Sequence, residues 1–297
     1  MMVQRQDGDG RGSSADTWAA VVRNGGGAVE VEDAAGALRT YHVRVPAGPV
    51  RGLCVLFHPF GFEPLGVLEG VPAGDLLVRP LDGFAAAAGS LGFATLAPRG
   101  RGRRLDLVSL AWEDHLEAAW NASRGLADAI GTDHITAGGL SMGGLEALVL
   151  AGLHPEGIRA VWATNPVIDL ARWCVDIAEG RASPTMAGAD DLIRTEVGGT
   201  PTDVADEYDR RSPLRYASAL ATLSVRLTWS PRDTIIPDQR GAHAHRLADA
   251  LRARGGRVDE EIVTQEPVGS DVESGRYAHE ACSVWDAVGW LAGRADR

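Results

Sequence analysis

The chain is 297 residues long, 45% hydrophobic and 23% charged, the composition of an ordinary soluble globular protein with ample material for a core. Forty acidic residues against 29 basic ones give a net charge of −11, which argues against nucleic acid or an anionic membrane as partner. Every basic residue is Arg and there is no Lys, which excludes Schiff-base, P-loop and kinase lysine chemistry.

The opening stretch MMVQRQDGDGRGSSADT lacks the apolar core of a signal peptide, so residues 1–20 read as a disordered leader and a cytoplasmic location is expected. No run of about 18 apolar residues marks a membrane span. AVEVED and RTYHVRV alternate apolar and polar residues as half-buried strands do. GLCVLFH is a continuous apolar run, the pattern of a strand covered on both faces. LLVRPLDGFAAAAGSLG reads as a helix and FATLAP as the next buried strand. Trp112 to Ile130 is a long helical pattern. HITAGGLSMGGLEALVLAGLH is a strand, a tight turn and a helix. IRAVWATNP and VRLTWSPRD are further strands, and DQRGAHAHRLADALRARG is a helix. RVDEEIVT is the last strand and ACSVWDAVGWLAG the closing helix.

Strands alternating with helices predict an α/β fold with a mostly parallel sheet. Residues 169–220 interrupt the alternation with helical patterns alone and read as an inserted helical cap. The core is then residues 21–168 and 221–297. Cys54, Cys174 and Cys282 form no CxxC pair, so neither a metal site nor a disulfide framework is expected, and Cys54 reads as a core residue.

Gly139-Leu140-Ser141-Met142-Gly143 is a GxSxG pattern between an apolar strand and an apolar helix, the context in which the serine sits on a strained turn with its hydroxyl raised. A serine hydroxyl needs a base, usually His, oriented by a carboxylate. His279 stands in a loop between the last strand and the last helix. Asp233 follows the strand VRLTW, and Asp169 is its competitor after the preceding strand. His243 and His245 read as facing solvent or a packed face. An oxyanion needs two fixed N–H donors. Met142 supplies one. The turn His58-Pro59-Phe60-Gly61 supplies the other, through Phe60, because Pro59 has no N–H.

These residues resemble the α/β-hydrolase superfamily over nearly the whole chain, and within it the prolyl oligopeptidase and acylaminoacyl-peptidase group with its dienelactone-hydrolase-like esterase relatives. Pro98-Arg99-Gly100-Arg101-Gly102 is similar to that group's RG turn, Trp112 with Asp114 to the start of its next helix, and Tyr208 to Leu214 to its SP motif. The chain departs in carrying HPFG where an HG start is usual, and it offers no segment for an N-terminal propeller. The resemblance implies an eight-stranded sheet flanked by helices.

The expectation is a cofactor-free serine hydrolase of an ester, thioester or lactone of a medium-sized organic acid. Its partner is a small molecule, not nucleic acid or membrane, and a homodimer is compatible. The rivals are an aminopeptidase or amidase, a non-hydrolytic cyclase, lyase or acyltransferase, and a binding protein with a vestigial triad. Candidate substrate contacts are His58, Glu63, Trp173 and Arg99, the last within the basic cluster that continues through Arg101, Arg103 and Arg104. Each has a structural alternative: a strand cap for His58, core packing for Trp173 and Trp162, a solvated loop for the arginines.

Overall fold

The computed structural model describes residues 14–61, 83–100, 102, 108–264 and 284–294. His279, Glu63, Arg101, Arg103, Arg104 and Cys282 lie outside these residues.

The strands are β1 (Gly26–Glu32), β2 (Leu38–Arg44), β3 (Gly52–Phe57), β4 (Phe93–Pro98), β5 (Ile135–Leu140), β6 (Ile158–Thr164), β7 (Ser224–Trp229) and β8 (Arg257–Ile262). They form one eight-stranded sheet in the order β1-β2-β4-β3-β5-β6-β7-β8. The β1–β2 and β2–β4 pairings are antiparallel, and every pairing from β4 through β3 to β8 is parallel. Strands β3, β4 and β5 are buried along their whole length, as their unbroken apolar runs require.

The period of two along β3 divides the core. Leu53, Val55 and Phe57 point into the larger layer, whereas Cys54 and Leu56 point into the smaller one. The smaller layer is closed by α2 (Phe84–Ser90) and α10 (Val284–Ala292), with Phe84 stacked on Trp162 at 6.2 Å. Trp162 is therefore core packing. The larger layer holds α1 (Ser14–Arg23), α3 (Glu113–Ile130), α4 (Met142–Leu153) and α9 (Ala244–Arg252).

Helix α1 corrects the expected leader over its second half. Trp18, Val21 and Val22 recur at helical spacing and turn one face to the core. Trp18 is 2% exposed and packs edge-on against Tyr41 at 6.1 Å. One buried aromatic outweighs the polar composition around it.

Between β6 and β7 the chain is helical, as expected over 169–220. It contains α5 (Leu170–Ala178), a 3-10 turn (Pro184–Met186), α6 (Ala189–Val197), α7 (Ala205–Arg210), a second 3-10 turn (Pro213–Tyr216) and α8 (Ala217–Leu220). The segment Pro213–Leu220 packs against α4 and so belongs to the flanking layer. Helix α5 packs against α6 and α7.

Trp18→Ala is expected to lower unfolding stability by about 3 kcal/mol, the size of a large-to-small change at a buried aromatic. Denaturant unfolding measures it. A variant indistinguishable from the parent would restore the reading of residues 14–20 as an unattached leader.

Candidate active site

Ser141 terminates β5 and begins α4, with φ 61° and ψ −122°. A β-carbon makes that region costly, by roughly 1–3 kcal/mol, so the surrounding structure must impose it. Ser141 N–H donates to the Thr164 carbonyl at 2.9 Å, and Leu145 N–H donates back to the Ser141 carbonyl at 3.1 Å. The flanking glycines are steric necessities. A β-carbon on Gly139 would lie 2.9 Å from the Gly143 α-carbon, and one on Gly143 would lie 2.9 Å from the His58 carbonyl oxygen. The turn therefore closes on itself, and the start of α4 seats directly against the end of β3.

Met142 is the first residue of α4, where a backbone N–H has no acceptor within the helix. Its proposed companion lies in the turn after β3. Gly100 N–H donates to His58 Nε2 at 2.8 Å. That nitrogen is thus the acceptor, and His58 Nδ1 carries the proton. Nδ1 faces the Pro59 carbonyl at 2.9 Å and donates to it. The Pro59 carbonyl and the Phe60 N–H belong to one planar peptide group, so clamping the oxygen aims the N–H the opposite way. Gly61, at φ 78°, then turns the chain. His58 is 1% exposed with both ring nitrogens engaged, so it shapes the turn after β3.

Asp233 is 4% exposed in the loop after β7. One carboxylate oxygen accepts the N–H groups of Ile235 at 2.9 Å and Ile236 at 3.1 Å, and the other accepts Gln239 Nε2–H at 3.2 Å. The loop is tied to the neighbouring strand end by Asn165, whose side-chain oxygen accepts Ser230 N–H at 2.9 Å. Asn165 N–H donates to Thr228, and Ser141 N–H to Thr164. The ends of β5, β6 and β7 are thereby sewn side by side, with Ser141 and the Asp233 loop at the same edge of the sheet. The sequence reading named Ser141 and Asp233 as candidates. It missed Gln239 and Asn165, whose only trace is the Asn-Pro turn after β6.

Asp169, the competing acid, is occupied otherwise. It caps α5 by accepting Arg172 N–H at 2.9 Å, and Arg246 donates to its other oxygen at 3.0 Å. Asp169 also lines a surface groove with Pro201, Asp209 and Arg246, on the outer side of the helical segment. His243 sits on the packed face. It is fully buried, its Nδ1 accepts Ile168 N–H at 3.1 Å, and burial pushes its pKa down to about 3. Trp173 is 0% exposed and is held inside by an indole N–H bond to the Ile235 carbonyl at 2.9 Å. Arg99 is exposed, with its backbone N–H on the Thr40 carbonyl at 3.0 Å.

No family model matches the sequence, and no curated protein matches it. Solved structures do. An acylaminoacyl peptidase of Pyrococcus horikoshii aligns with TM-score 0.59 and 15% identity over 86% of this chain. A puromycin-hydrolyzing peptidase of Mycobacterium tuberculosis aligns at 0.63 and 16% over 99% of it. An S-formylglutathione hydrolase of Agrobacterium tumefaciens aligns at 0.58 and 15% over 91%. The chain has the α/β-hydrolase fold. It spans 39% and 42% of the two peptidases but 96% of the S-formylglutathione hydrolase.

One part of this α/β-hydrolase fold had no signal in the sequence. Glu146, on α4 five residues after the serine, is fully buried. It accepts the Ser109 hydroxyl and, at 3.3 Å, Ala111 N–H. Leu110 and Ala111 both have positive φ, 44° and 55°. The buried Arg211 holds the same loop from the other side, donating to the Ser109 and Leu110 carbonyls at 3.2 and 3.3 Å. Glu196 of α6 faces Arg211 at 3.8 Å. Burial raises the Glu146 pKa to about 7, opposed by the bonds from Ser109 and Ala111 and by the charge of Arg211.

A carboxyl whose pKa is raised on folding contributes stability below its unfolded value near 4.5 and loses it as pH rises to about 7. Glu146→Gln keeps the shape without the charge. The variant is expected to gain on the parent by up to roughly 3 kcal/mol between pH 4.5 and 7.5, because only the parent suffers that loss. Urea unfolding at both pH values measures the difference. A constant difference would show that Glu146 is ionised in the fold throughout.

Proposed function

We propose that this chain is a serine hydrolase acting on an ester, thioester or lactone of a medium-sized organic acid. The observation that carries the proposal is the backbone of Ser141, a non-glycine residue held at φ 61° and ψ −122° between a buried strand and the start of a helix. Strain of this kind survives only where something over-determines it, and raising a hydroxyl above the sheet edge is its use.

In this reading Ser141 Oγ attacks the substrate carbonyl carbon, and its proton passes to His279. His279 lies outside the described residues and enters as the base that the sequence order serine, acid, histidine calls for. Asp233 orients that imidazole and stabilises its protonated form. The Phe60 and Met142 N–H groups receive the charge that develops on the carbonyl oxygen. His279 then gives its proton to the leaving oxygen or sulfur, whose bond to the acyl carbon breaks. Water, deprotonated by His279, attacks the acyl-enzyme, and the acid is released as Ser141 regains its proton.

The neighbouring folds favour a second reading alongside the first, since two of them are named peptidases. An amidase or aminopeptidase would use the same groups on a poorer leaving group. The fold likeness to the S-formylglutathione hydrolase supports the ester and thioester reading.

A fluorophosphonate probe is expected to label the folded chain once, at Ser141, and Ser141→Ala is expected to abolish labelling. Activated ester and thioester substrates should acylate the chain at least about a hundredfold faster than matched anilides, a gap of about 2.7 kcal/mol in barrier. An unlabelled Ser141 in folded protein would end the hydrolase reading, and equal rates on anilides would move it to the amidase. Asp233→Asn is expected to lose at least about a thousandfold in acylation rate while Asp169→Asn keeps the parental rate. The reverse result would transfer the acid to Asp169.

A further inference from the structure

Trp173 and Ser183 lie on the helical segment between β6 and β7, outside the catalytic groups named above. Both reach the acid loop, and both do so through carbonyl oxygens. Trp173 Nε1–H donates to the Ile235 carbonyl at 2.9 Å. Ser183 N–H donates to the Thr234 carbonyl at 2.6 Å. Each of those carbonyls shares a planar peptide group with the next residue's N–H. Thr234 C=O is joined to Ile235 N–H, and Ile235 C=O is joined to Ile236 N–H. These are the two backbone N–H groups that Asp233 accepts, at 2.9 and 3.1 Å. Two hydrogen-bond relays therefore run from the helical segment, through one peptide group each, onto a single carboxylate oxygen. A hydrogen bond at the carbonyl end polarises the peptide and strengthens the N–H at the other end.

The same indole has a second contact. Its ring meets Phe60 edge-on, with centroids 6.2 Å apart and planes at 85°. Phe60 carries the oxyanion donor in the function proposed above. One side chain thus touches the residue on the oxyanion side and the peptide that holds the acid.

We propose that Trp173 is a positioning residue for the reaction, which together with the Ser183 N–H orients the Asp233 carboxylate through the peptide groups 234–235 and 235–236. The proposal rests on the hydrolase reading. It gives the helical segment a part in catalysis that needs no contact with substrate.

The test measures the rate constant for fluorophosphonate labelling of Ser141 in the full chain. Trp173→Phe keeps a ring beside Phe60 and deletes the donor. It is expected to slow labelling about tenfold, the effect of one lost hydrogen bond to a positioning peptide. With substrate, kcat is expected to fall while KM changes less than about twofold, because the groups affected act on the reaction barrier and not on uniform binding. Ser183→Pro deletes the other donor at a residue whose φ is already −50°, inside the proline range, and is expected to act in the same direction. In an Asp233→Ala background, which has no carboxylate to orient, Trp173→Phe is expected to add less than about a twofold change. Ile193→Ala, a buried change on α6 that removes no hydrogen bond of either relay, controls for general loosening and should leave labelling unchanged. Thermal unfolding confirms that each variant is folded, and Ser183→Pro carries the test alone if Trp173→Phe is not.

Parental labelling rates in both donor-deleted variants would overturn the proposal and leave the hydrolase reading standing. So would a loss matched by Ile193→Ala, a loss that persists undiminished in the Asp233→Ala background, or a rise in KM alone, which would return Trp173 to the substrate wall. Absence of labelling in the parent chain would instead remove the hydrolase reading itself, and the positioning role with it.

Discussion

A planar peptide group with its oxygen held can aim its N–H in only one direction, and the candidate site rests on that constraint three times. His58 Nδ1–H holds the Pro59 oxygen and aims Phe60 N–H. Ser183 and Trp173 hold the Thr234 and Ile235 oxygens and aim the N–H groups that grip Asp233. Catalysis by oxyanion stabilisation and by an oriented acid needs donors fixed before the substrate arrives. Clamping the carbonyl ends fixes them without placing any further side chain in the space where substrate must sit. The residues that do the clamping are accordingly buried.

Strain is concentrated where the constraint is applied. Among the described residues, five other than glycine have positive φ: Leu110, Ala111, Ser141, Asn165 and Asp238. Ser141 and Asn165 end β5 and β6 on neighbouring strands. Leu110 and Ala111 form the loop that Glu146 of α4 and Arg211 hold from two sides. Burial of this network leaves one Glu146 carboxyl oxygen without a hydrogen-bond partner among the described residues, in keeping with its raised pKa. Here the network joins α4, which follows Ser141, to the helical segment through Arg211 and Glu196. The elbow, the acid loop and the insertion are thus one connected unit.

Most of the architecture was legible because it obeys period and punctuation. Unbroken apolar runs announced β3, β4 and β5, and the GxSxG turn announced the elbow. The insertion showed itself as a stretch with helical period and no strand. Helix α1 was missed because Trp18, Val21 and Val22 are three apolar residues in a polar context, and only tertiary contact with Tyr41 gives them value. Legibility failed for side chains whose role is set by partners distant in sequence. Trp173 had the composition of a pocket wall, and its indole N–H is taken by the Ile235 carbonyl, 62 residues later. His58 stood where a substrate contact was expected, and its Nε2 accepts the amide of Gly100, 42 residues on. Glu146 looked like one polar residue in an apolar helix, and its network cannot be inferred from spacing at all.

The absence of lysine gives the last link its character. The relay donors Trp173 and Ser183 are separated by ten residues, and something must fix their relative position. Asp176, 0% exposed, lies between them. Its carboxylate accepts Arg172 Nε–H at 2.9 Å from within α5 and Arg181 Nε–H at 2.5 Å from beyond it. Its backbone carbonyl accepts the N–H groups of Arg181 at 2.8 Å and Ala182 at 3.2 Å, which turns the chain directly into Ser183. A guanidinium presents a planar, directional donor face where an ammonium presents a rotating point charge, so arginine fixes geometry as well as charge. Arginine has its clearest structural use here in Arg172 and Arg181, around a buried carboxylate whose helix and turn carry both donors toward the Asp233 loop.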